Sequence, residues 1–202
     1  MAKALNKASD ILFYVGIVLW IITSDSLIPI LTAASVLIHE AGHIIAAILI
    51  GNRFRHISLQ TGGLKLTGNS IFTSYADEAL VAFGGPFFNI LSGIIFWSAS
   101  SGAAKHFQQI SLAFALLNLM PINGFDGGRI SECLLSLLLP CKLCSRLCDL
   151  LSFLSLFFLW SLSVYLLLRT GRNLTLFFFS AVIFVRICRE NSHFRICEII
   201  RE

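Results

Sequence analysis

The chain has 202 residues, of which 56% are hydrophobic and 13% are charged, and its formal net charge is +4. This composition, with a mean hydropathy of +0.83, excludes an ordinary soluble protein and indicates a polytopic membrane protein. The basic residues lie mostly between the apolar segments, so they indicate membrane topology and not a nucleic-acid-binding surface. We therefore expect the lipid bilayer, and no nucleic acid, among its partners.

The first two apolar segments are separated by a short polar turn. Residues 11–22 predict a membrane span that extends at both ends to reach the roughly 20 residues a bilayer needs. The basic start of the chain leads into this segment with no small-residue cleavage site of the expected kind, so we expect the segment to be retained. A turn containing Asp25 and Pro29 leads to a second span at about 28–50, which ends at Gly51 and the basic residues after it.

The next stretch loses the helical pattern. In residues 57–72, apolar and polar residues alternate around Gly62 and Gly63, which predicts a β-hairpin. Backbone of this kind lies at membrane depth only where protein or a wet cavity covers it. We therefore expect a small membrane-associated hairpin, followed by a third span at about 76–100.

The fourth apolar segment predicts a broken helix. Residues 110–121 are too few to cross a bilayer alone, and a Gly-rich loop at 121–128 separates them from apolar helix that resumes to Leu139. A fifth span is predicted at about 147–168. The last segment, 174–185, is short and predicts either a span or an interfacial helix.

Together these segments predict an all-α polytopic membrane protein with about six transmembrane helices. The small β-hairpin lies between the second and the third of them. We expect a single integral-membrane domain over residues 1–202, with its core at about 28–140 and C-terminal helices at about 147–202.

The distribution of positive charge predicts the orientation of the spans. With the N-terminus in the cytoplasm, every Lys and Arg falls in a cytoplasmic segment except Lys105, Arg169 and Arg172. The positive-inside rule therefore predicts cytoplasmic N- and C-termini. In this orientation the second span runs toward the cytoplasm, and Asp126 emerges on the same side.

Three ionisable residues interrupt the apolar second span. His39 and His43 are four residues apart, so both imidazoles project from one face of a helix, with Glu40 beside them. Two neutral imidazoles can hold a zinc ion, and the carboxylate can accept a proton from water. Short patterns of this kind also arise by chance, but ionisable residues at membrane depth are costly and indicate a functional site.

A catalytic zinc site usually has three protein ligands, so a third is expected. Asp126 is the best candidate because it lies in a Gly-rich break within apolar sequence, where an unpaired carboxylate would be destabilised. Its two following glycines allow close backbone approach. An alternative role for Asp126 is to cap a helix starting at Gly127. Asp77 and Glu78 are weaker candidates, since acidic residues suit an ordinary solvated helix start.

The order and spacing of these motifs resemble those of the site-2 protease family of intramembrane zinc metalloproteases. Residues 39–43 match the family's H-E-x-x-H motif, and residues 118–127 match its N-x-x-P-x-x-x-x-D-G motif. Residues 85–89 resemble the Gly-Pro-x-x-Asn stretch between the two. The resemblance covers roughly residues 10–140, and the layout is most similar to the small bacterial branch that includes the sporulation proteases.

The loop before Asp126 departs from the family pattern at one place. Asn123 and Gly124 stand where many relatives carry a proline. The departure leaves the rigidity of this loop open, but not the identity of the ligand.

The resemblance implies a multi-pass protein of the bacterial cell membrane that hydrolyses a peptide bond in or near a transmembrane segment of a membrane-anchored protein, in regulated intramembrane proteolysis. His39, His43 and Asp126 would hold one zinc ion, and Glu40 would be the catalytic base. The hairpin at Gly62 and Gly63 would pair with an extended substrate. A regulatory membrane protein or a homo-oligomer would be a further partner.

Two asparagines are candidates for substrate binding. An amide in an apolar helix needs a partner, so Asn118 could position the substrate or stabilise an oxyanion. Asn89 faces the same choice. Either could instead make an interhelical hydrogen bond, as is common for Asn in membrane helices, and this structural role is favoured for Asn89.

Other readings of the chain are a second metal site and a function without catalysis. Cys141, Cys144 and Cys148 share a helical face and could bind a metal, but cysteines in a Leu-rich helix are more often packed or lipidated. On the cytoplasmic side we expect them to be reduced. A metal transporter would offer ionisable residues along a path through several spans, and a protease-like scaffold would lack a catalytic residue.

Overall fold

The computed structural model describes residues 26–51, 56–60, 63–67, 74–98 and 101–170. The predicted first span at 11–22 and the last segment at 174–185 lie outside these residues. Within the described parts of the chain there are five helices and one two-stranded sheet. In chain order they are α1 (Ile28–Leu49), β1 (His56–Gln60), β2 (Gly63–Thr67), α2 (Tyr75–Ile95), α3 (Gly102–Asn118), α4 (Asp126–Leu138) and α5 (Cys141–Thr170).

Three of these helices, α1, α2 and α5, are long and apolar enough to cross a membrane. Helix α3 has 17 residues and α4 has 13, so both are short for a complete crossing. The chain is therefore a helical membrane protein, and the predicted total of six spans stays a prediction.

The described residues fall in two compact units. One lies within Met1–Ile71 and Phe83–Leu117, and the other lies within Phe72–Ala82 and Asn118–Glu202. The prediction of a single integral-membrane domain stays a prediction.

In the first unit, helix α1 agrees closely with the predicted second span. Pro29 lies in its first turn, where a missing N–H costs nothing because that group has no helical partner. Gly51 follows its C-terminal end with a φ of +82°, a left-handed conformation that glycine adopts without a steric penalty. Leu37 and Ile48 are exposed while His39 and His43 are buried. This inverts the pattern of a soluble helix and suits a helix whose outer face meets lipid.

The two strands of the first unit lie where the sequence predicts a β-hairpin. They pair antiparallel, with Ile57 opposite Leu66 and Gln60 opposite Gly63. Gly62 lies outside the described residues.

Glycines bring the backbones of α1 and α2 into contact in the first unit. A Cβ atom on Gly42 would lie 2.5 Å from the carbonyl oxygen of Gly84, and a Cβ on Gly84 would lie 2.7 Å from the Cβ of Ala46. No side chain larger than hydrogen fits at either glycine, so the two helices pack closely, as small residues allow in membrane proteins.

In the second unit, the predicted break before Asp126 is present but is shorter than predicted. Helix α4 begins at Asp126, so the two glycines of the predicted loop that follow Asp126 lie in its first turn. A Cβ on Gly127 would lie 2.2 Å from the Leu119 carbonyl oxygen, and a Cβ on Gly128 would lie 2.2 Å from that of Ile122. The glycines therefore let the preceding loop fold back onto the first turn of α4.

The same loop is attached to helix α5. The backbone N–H of Asn123 donates to Ser152 Oγ at 2.9 Å, and Asn123 Nδ2 donates to Asp149 Oδ1 at 3.1 Å. Gly124 has a φ of +93°, which a proline could not adopt. Of the two positions that depart from the family pattern, Asn123 therefore restrains the loop by hydrogen bonds to α5, and Gly124 supplies its left-handed backbone conformation.

Candidate metal centre

The two histidines of helix α1 lie on its buried face. His39 and His43 are both buried, and their Nε2 atoms are 3.2 Å apart. Two nitrogen ligands of a tetrahedral zinc ion, each at about 2.0 to 2.1 Å, lie about 3.3 Å from one another. The spacing of four residues thus brings the two ring nitrogens to the separation that one zinc ion requires.

The surroundings of the histidine rings are built by other parts of the first unit. Asn89 Nδ2 lies 3.3 Å from His39 Nδ1, and the ring of Phe114 packs edge-on against His39 with centroids 5.0 Å apart. A Cβ on Gly85 would lie 2.4 Å from His43 Nε2 and 2.9 Å from His39 Cε1. Only glycine fits at position 85, which the sequence marked solely through its resemblance to a family motif.

Asp126 is the first residue of helix α4, and it is buried. The N-cap position is Phe125, which makes no side-chain capping bond. Asp126 therefore lies one position inside the helix, and the alternative that it caps a helix starting at Gly127 is wrong. Arg129 lies one turn later on the same helix, with its Nη1 atom 3.8 Å from Asp126 Oδ1.

Glu78 is the second anionic partner of Arg129. Arg129 Nε donates to Glu78 Oε1 at 3.1 Å, and Nη2 forms an ion pair with the same oxygen. Glu78 is 4% exposed, so the expectation of a solvated helix start is wrong at this position. The expectation failed because the compensating cation lies 51 residues farther along the chain, beyond the reach of any local pattern. Glu78 is therefore a structural partner of the helix that carries Asp126.

The three predicted metal ligands are a candidate metal-binding group. His39, His43 and Asp126 each offer a ligand atom, and these atoms all lie within 4.8 Å of one another. Within the described residues they are the group of His, Cys, Asp and Glu side chains that could hold a metal ion. Two imidazoles and one carboxylate are a donor set that suits zinc and leaves a fourth position for water or substrate. The residues present thus fit the expected metal.

The other predicted site residues are not members of this candidate metal-binding group. Glu40 follows His39 on α1 and is half-buried, and Asn118 is the half-buried last residue of α3. Gly63 is the first residue of β2. The roles of these residues in catalysis and substrate binding stay predictions.

Within the described part of the chain, no metal-binding group includes Cys141, Cys144 or Cys148. Cys133, Cys144 and Cys148 are buried, and Cys144 Sγ lies 3.3 Å from Ser136 Oγ. These contacts are those of packed side chains. The expectation of reduced thiols on the cytoplasmic side stays a prediction.

Comparisons with known proteins identify a family and a similar fold. The sequence profile of the Peptidase M50B-like family matches residues 11–179. The site-2 protease from Methanocaldococcus jannaschii has a similar fold, with a TM-score of 0.60 and 23% sequence identity over 93% of this chain and 90% of that chain. No curated protein matches the chain significantly. Because the profile spans most of the sequence, the chain belongs to the Peptidase M50B-like family.

Proposed function

We propose that this protein is a zinc-dependent intramembrane endopeptidase. It hydrolyses a peptide bond in or near a transmembrane segment of a membrane-anchored protein, as in regulated intramembrane proteolysis. The observation that carries the proposal is the buried group formed by His39, His43 and Asp126, two members of which lie in a helix apolar enough to span a membrane. Family membership supports proteolysis as the reaction class, and this group is the proposed site of the reaction.

In the proposed mechanism, different residues of the chain have different roles in peptide hydrolysis. His39, His43 and Asp126 would hold one zinc ion, which when bound activates water and polarises a carbonyl at neutral pH. Glu40 adjoins His39 on the same helix and accepts the proton of the attacking water, then passes it to the leaving amine. Asn118, at the end of α3, donates a hydrogen bond to the oxygen that gains negative charge in the transition state.

The hairpin supplies a way to present the substrate. A transmembrane helix hides each peptide bond in its own hydrogen bonds, so the scissile segment must become extended before attack. Strands β1 and β2 form a two-stranded sheet, to which an extended segment can add as a further strand. The turn at Gly62 and Gly63 belongs to this proposed substrate-binding element.

The proposed cellular setting follows from the charge distribution. Cytoplasmic termini would put Glu40 and Asp126 toward the cytoplasmic side of a bacterial cell membrane. A regulatory membrane protein, or a second copy of the chain, would control access of the substrate.

The test is cleavage of a tagged single-span substrate co-expressed with the protease. Glu40→Gln keeps the shape of the side chain but removes its basicity. The rate of cleavage should therefore fall by about 10²- to 10⁴-fold, the usual contribution of a general base to the rate. Glu132→Gln is the matched control because it makes the same chemical change on helix α4, outside the metal group, and should leave cleavage unchanged.

Two results would contradict the proposal. One is full cleavage by Glu40→Gln, which would remove the general base. The other is zinc uptake into vesicles that does not depend on Glu40, which would favour the alternative of a membrane metal transporter. Equal zinc content before and after Asp126→Ala would remove Asp126 from the ligand set.

A further inference from the structure

Asn89 of helix α2 lies against His39 of helix α1. Its Nδ2 atom is 3.3 Å from His39 Nδ1, and its side chain is fully buried. The other nitrogen of the same ring, Nε2, faces His43 Nε2 at 3.2 Å. The two nitrogens of His39 therefore have separate partners, an amide on one side and the second histidine on the other.

The two ends of the Asn89 carboxamide differ in their surroundings. Oδ1 is buried and has no hydrogen-bond partner among the described residues, which is an unfavourable state for a carbonyl oxygen. The amide nitrogen and oxygen are nearly identical in shape, so a half-turn about the last side-chain bond exchanges them without moving a neighbour. Either end of the carboxamide can therefore meet His39 Nδ1.

The chemistry of the imidazole decides which end it must be. A neutral imidazole carries a proton on only one of its two nitrogens. If Nε2 is to bind a metal it must present a lone pair, so the proton lies on Nδ1, which then needs an acceptor. Nδ2 is only a donor. Oδ1 is the end of Asn89 that can accept this hydrogen bond.

We infer that Asn89 is the positioning residue of His39: its carboxamide oxygen accepts a hydrogen bond from Nδ1–H and so fixes the tautomer and the orientation of the ring. The inference rests on the proposed zinc site and adds a residue to it. The backbone at Asn89 is restrained by Ser92 Oγ, which donates to its carbonyl oxygen at 2.9 Å. The ring of Phe114 restrains His39 from another direction. Asn89 thus acts through His39, in the interhelical role and not as a substrate contact.

The test is the zinc dissociation constant of the purified full-length chain, measured by competition with a chelator. Asn89→Leu keeps the volume but removes the acceptor, and zinc should bind about 10- to 100-fold more weakly, as for other partners of ligating histidines. Asn89→Asp keeps an acceptor and loses both donors, so its affinity should stay within a few-fold of wild type. Unchanged affinity in Asn89→Leu would overturn the inference, as would an Asn89→Asp variant as weak as Asn89→Leu.

Asn118→Leu is the matched control. The same substitution at the asparagine proposed to contact substrate should reduce cleavage without changing zinc affinity. The proposed function and this inference also fail in different ways. A wild-type chain that binds no zinc contradicts both, whereas zinc binding that is lost in His39→Ala but retained in Asn89→Leu contradicts the positioning role alone.

A second measurement uses the wild-type chain and does not depend on how the variants fold. With ¹⁵N-labelled histidine in the zinc-free protein, the His39 signals are assigned by their loss in His39→Gln. We expect the proton on Nδ1. A proton on Nε2 would mean that the amide donates to the ring, and the inference would be wrong.

Discussion

Gly85 shows how a residue without a side chain can shape a candidate metal centre. The ring nitrogen of His43 occupies the space that a Cβ at position 85 would fill. Gly42 and Gly84 act similarly, since each would collide with the opposite helix if it carried a methyl group. The histidines therefore depend on glycines that lie on both α1 and α2.

Gly85→Ala should displace the His43 ring and weaken zinc binding. The added methyl group would lie 2.4 Å from Nε2, so we expect a loss of about 10- to 100-fold in zinc affinity, the range found when the support of a ligand is disturbed, and a matching loss of cleavage. Gly102→Ala is the control because a Cβ there meets nothing within 4 Å. Metal content and cleavage that survive Gly85→Ala would show that the rings can move aside.

At the scale of elements, helix α4 depends on contacts that hold its N-terminal end. Arg129 joins its first turns to Glu78, and Asn123 joins the preceding loop to α5. Since Asp126 begins this helix, both contacts restrain the position of the proposed third ligand.

The ion pair between Glu78 and Arg129 should be strongly coupled. Removing one partner leaves the other charge poorly compensated, so Arg129→Gln should lower the free energy of unfolding by about 2 to 4 kcal/mol. We expect a value in the lower part of this range because Arg129 is partly exposed. Glu78→Gln combined with Arg129→Gln should cost less than the two single changes together. Thermal unfolding in detergent measures the coupling, and additive losses would argue against it.

The attachment of the loop to α5 should depend mainly on Ser152. This serine is buried and accepts the Asn123 backbone N–H, so Ser152→Ala should cost about 1 to 3 kcal/mol by leaving that donor unsatisfied. Asp149 is exposed, and Asp149→Asn should cost at most about 0.5 kcal/mol. Comparison of the two unfolding temperatures checks the difference. Equal unfolding temperatures of the two variants would show that Ser152 is not the main attachment of the loop to α5.

At the scale of the whole molecule, the surface of the described helices is apolar. Leu49, Leu138 and Leu168 are among many exposed large side chains, as expected where lipid replaces water. The buried positions instead include polar groups such as Asn89 and Asp126. Stability in such a molecule rests on close packing and polar contacts more than on hydrophobic burial between helices.

Zinc should therefore contribute measurably to the stability of the folded chain. A metal that binds only the folded state at a free concentration of 100 times its dissociation constant stabilises that state by about 2.7 kcal/mol. Chelation should lower the unfolding temperature of wild type accordingly. Asp126→Ala should show a smaller shift at the same zinc concentration, because it lacks a ligand. An unfolding temperature of the wild-type chain that is the same with and without zinc would contradict the proposed ligand set.

The amino-acid sequence by itself determined helix α1, the projection of His39 and His43 from one face, and the break before α4. These features depend on local causes: the period of 3.6 residues, the apolar character of consecutive residues, and the backbone preferences of proline and glycine. Asp126 could be predicted as a ligand for a similar reason, since an isolated carboxylate in apolar sequence needs a partner wherever the chain folds.

Only the tertiary structure decided what surrounds these ligands. Asn89 meets His39 from 50 residues away, and Glu78 meets Arg129 from 51. Which side chains face one another across two helices depends on how those helices are rotated and how closely they pack, and no local pattern contains that information. The sequence therefore predicted His39, His43 and Asp126 as metal ligands. Packing determined which residues surround these predicted ligands.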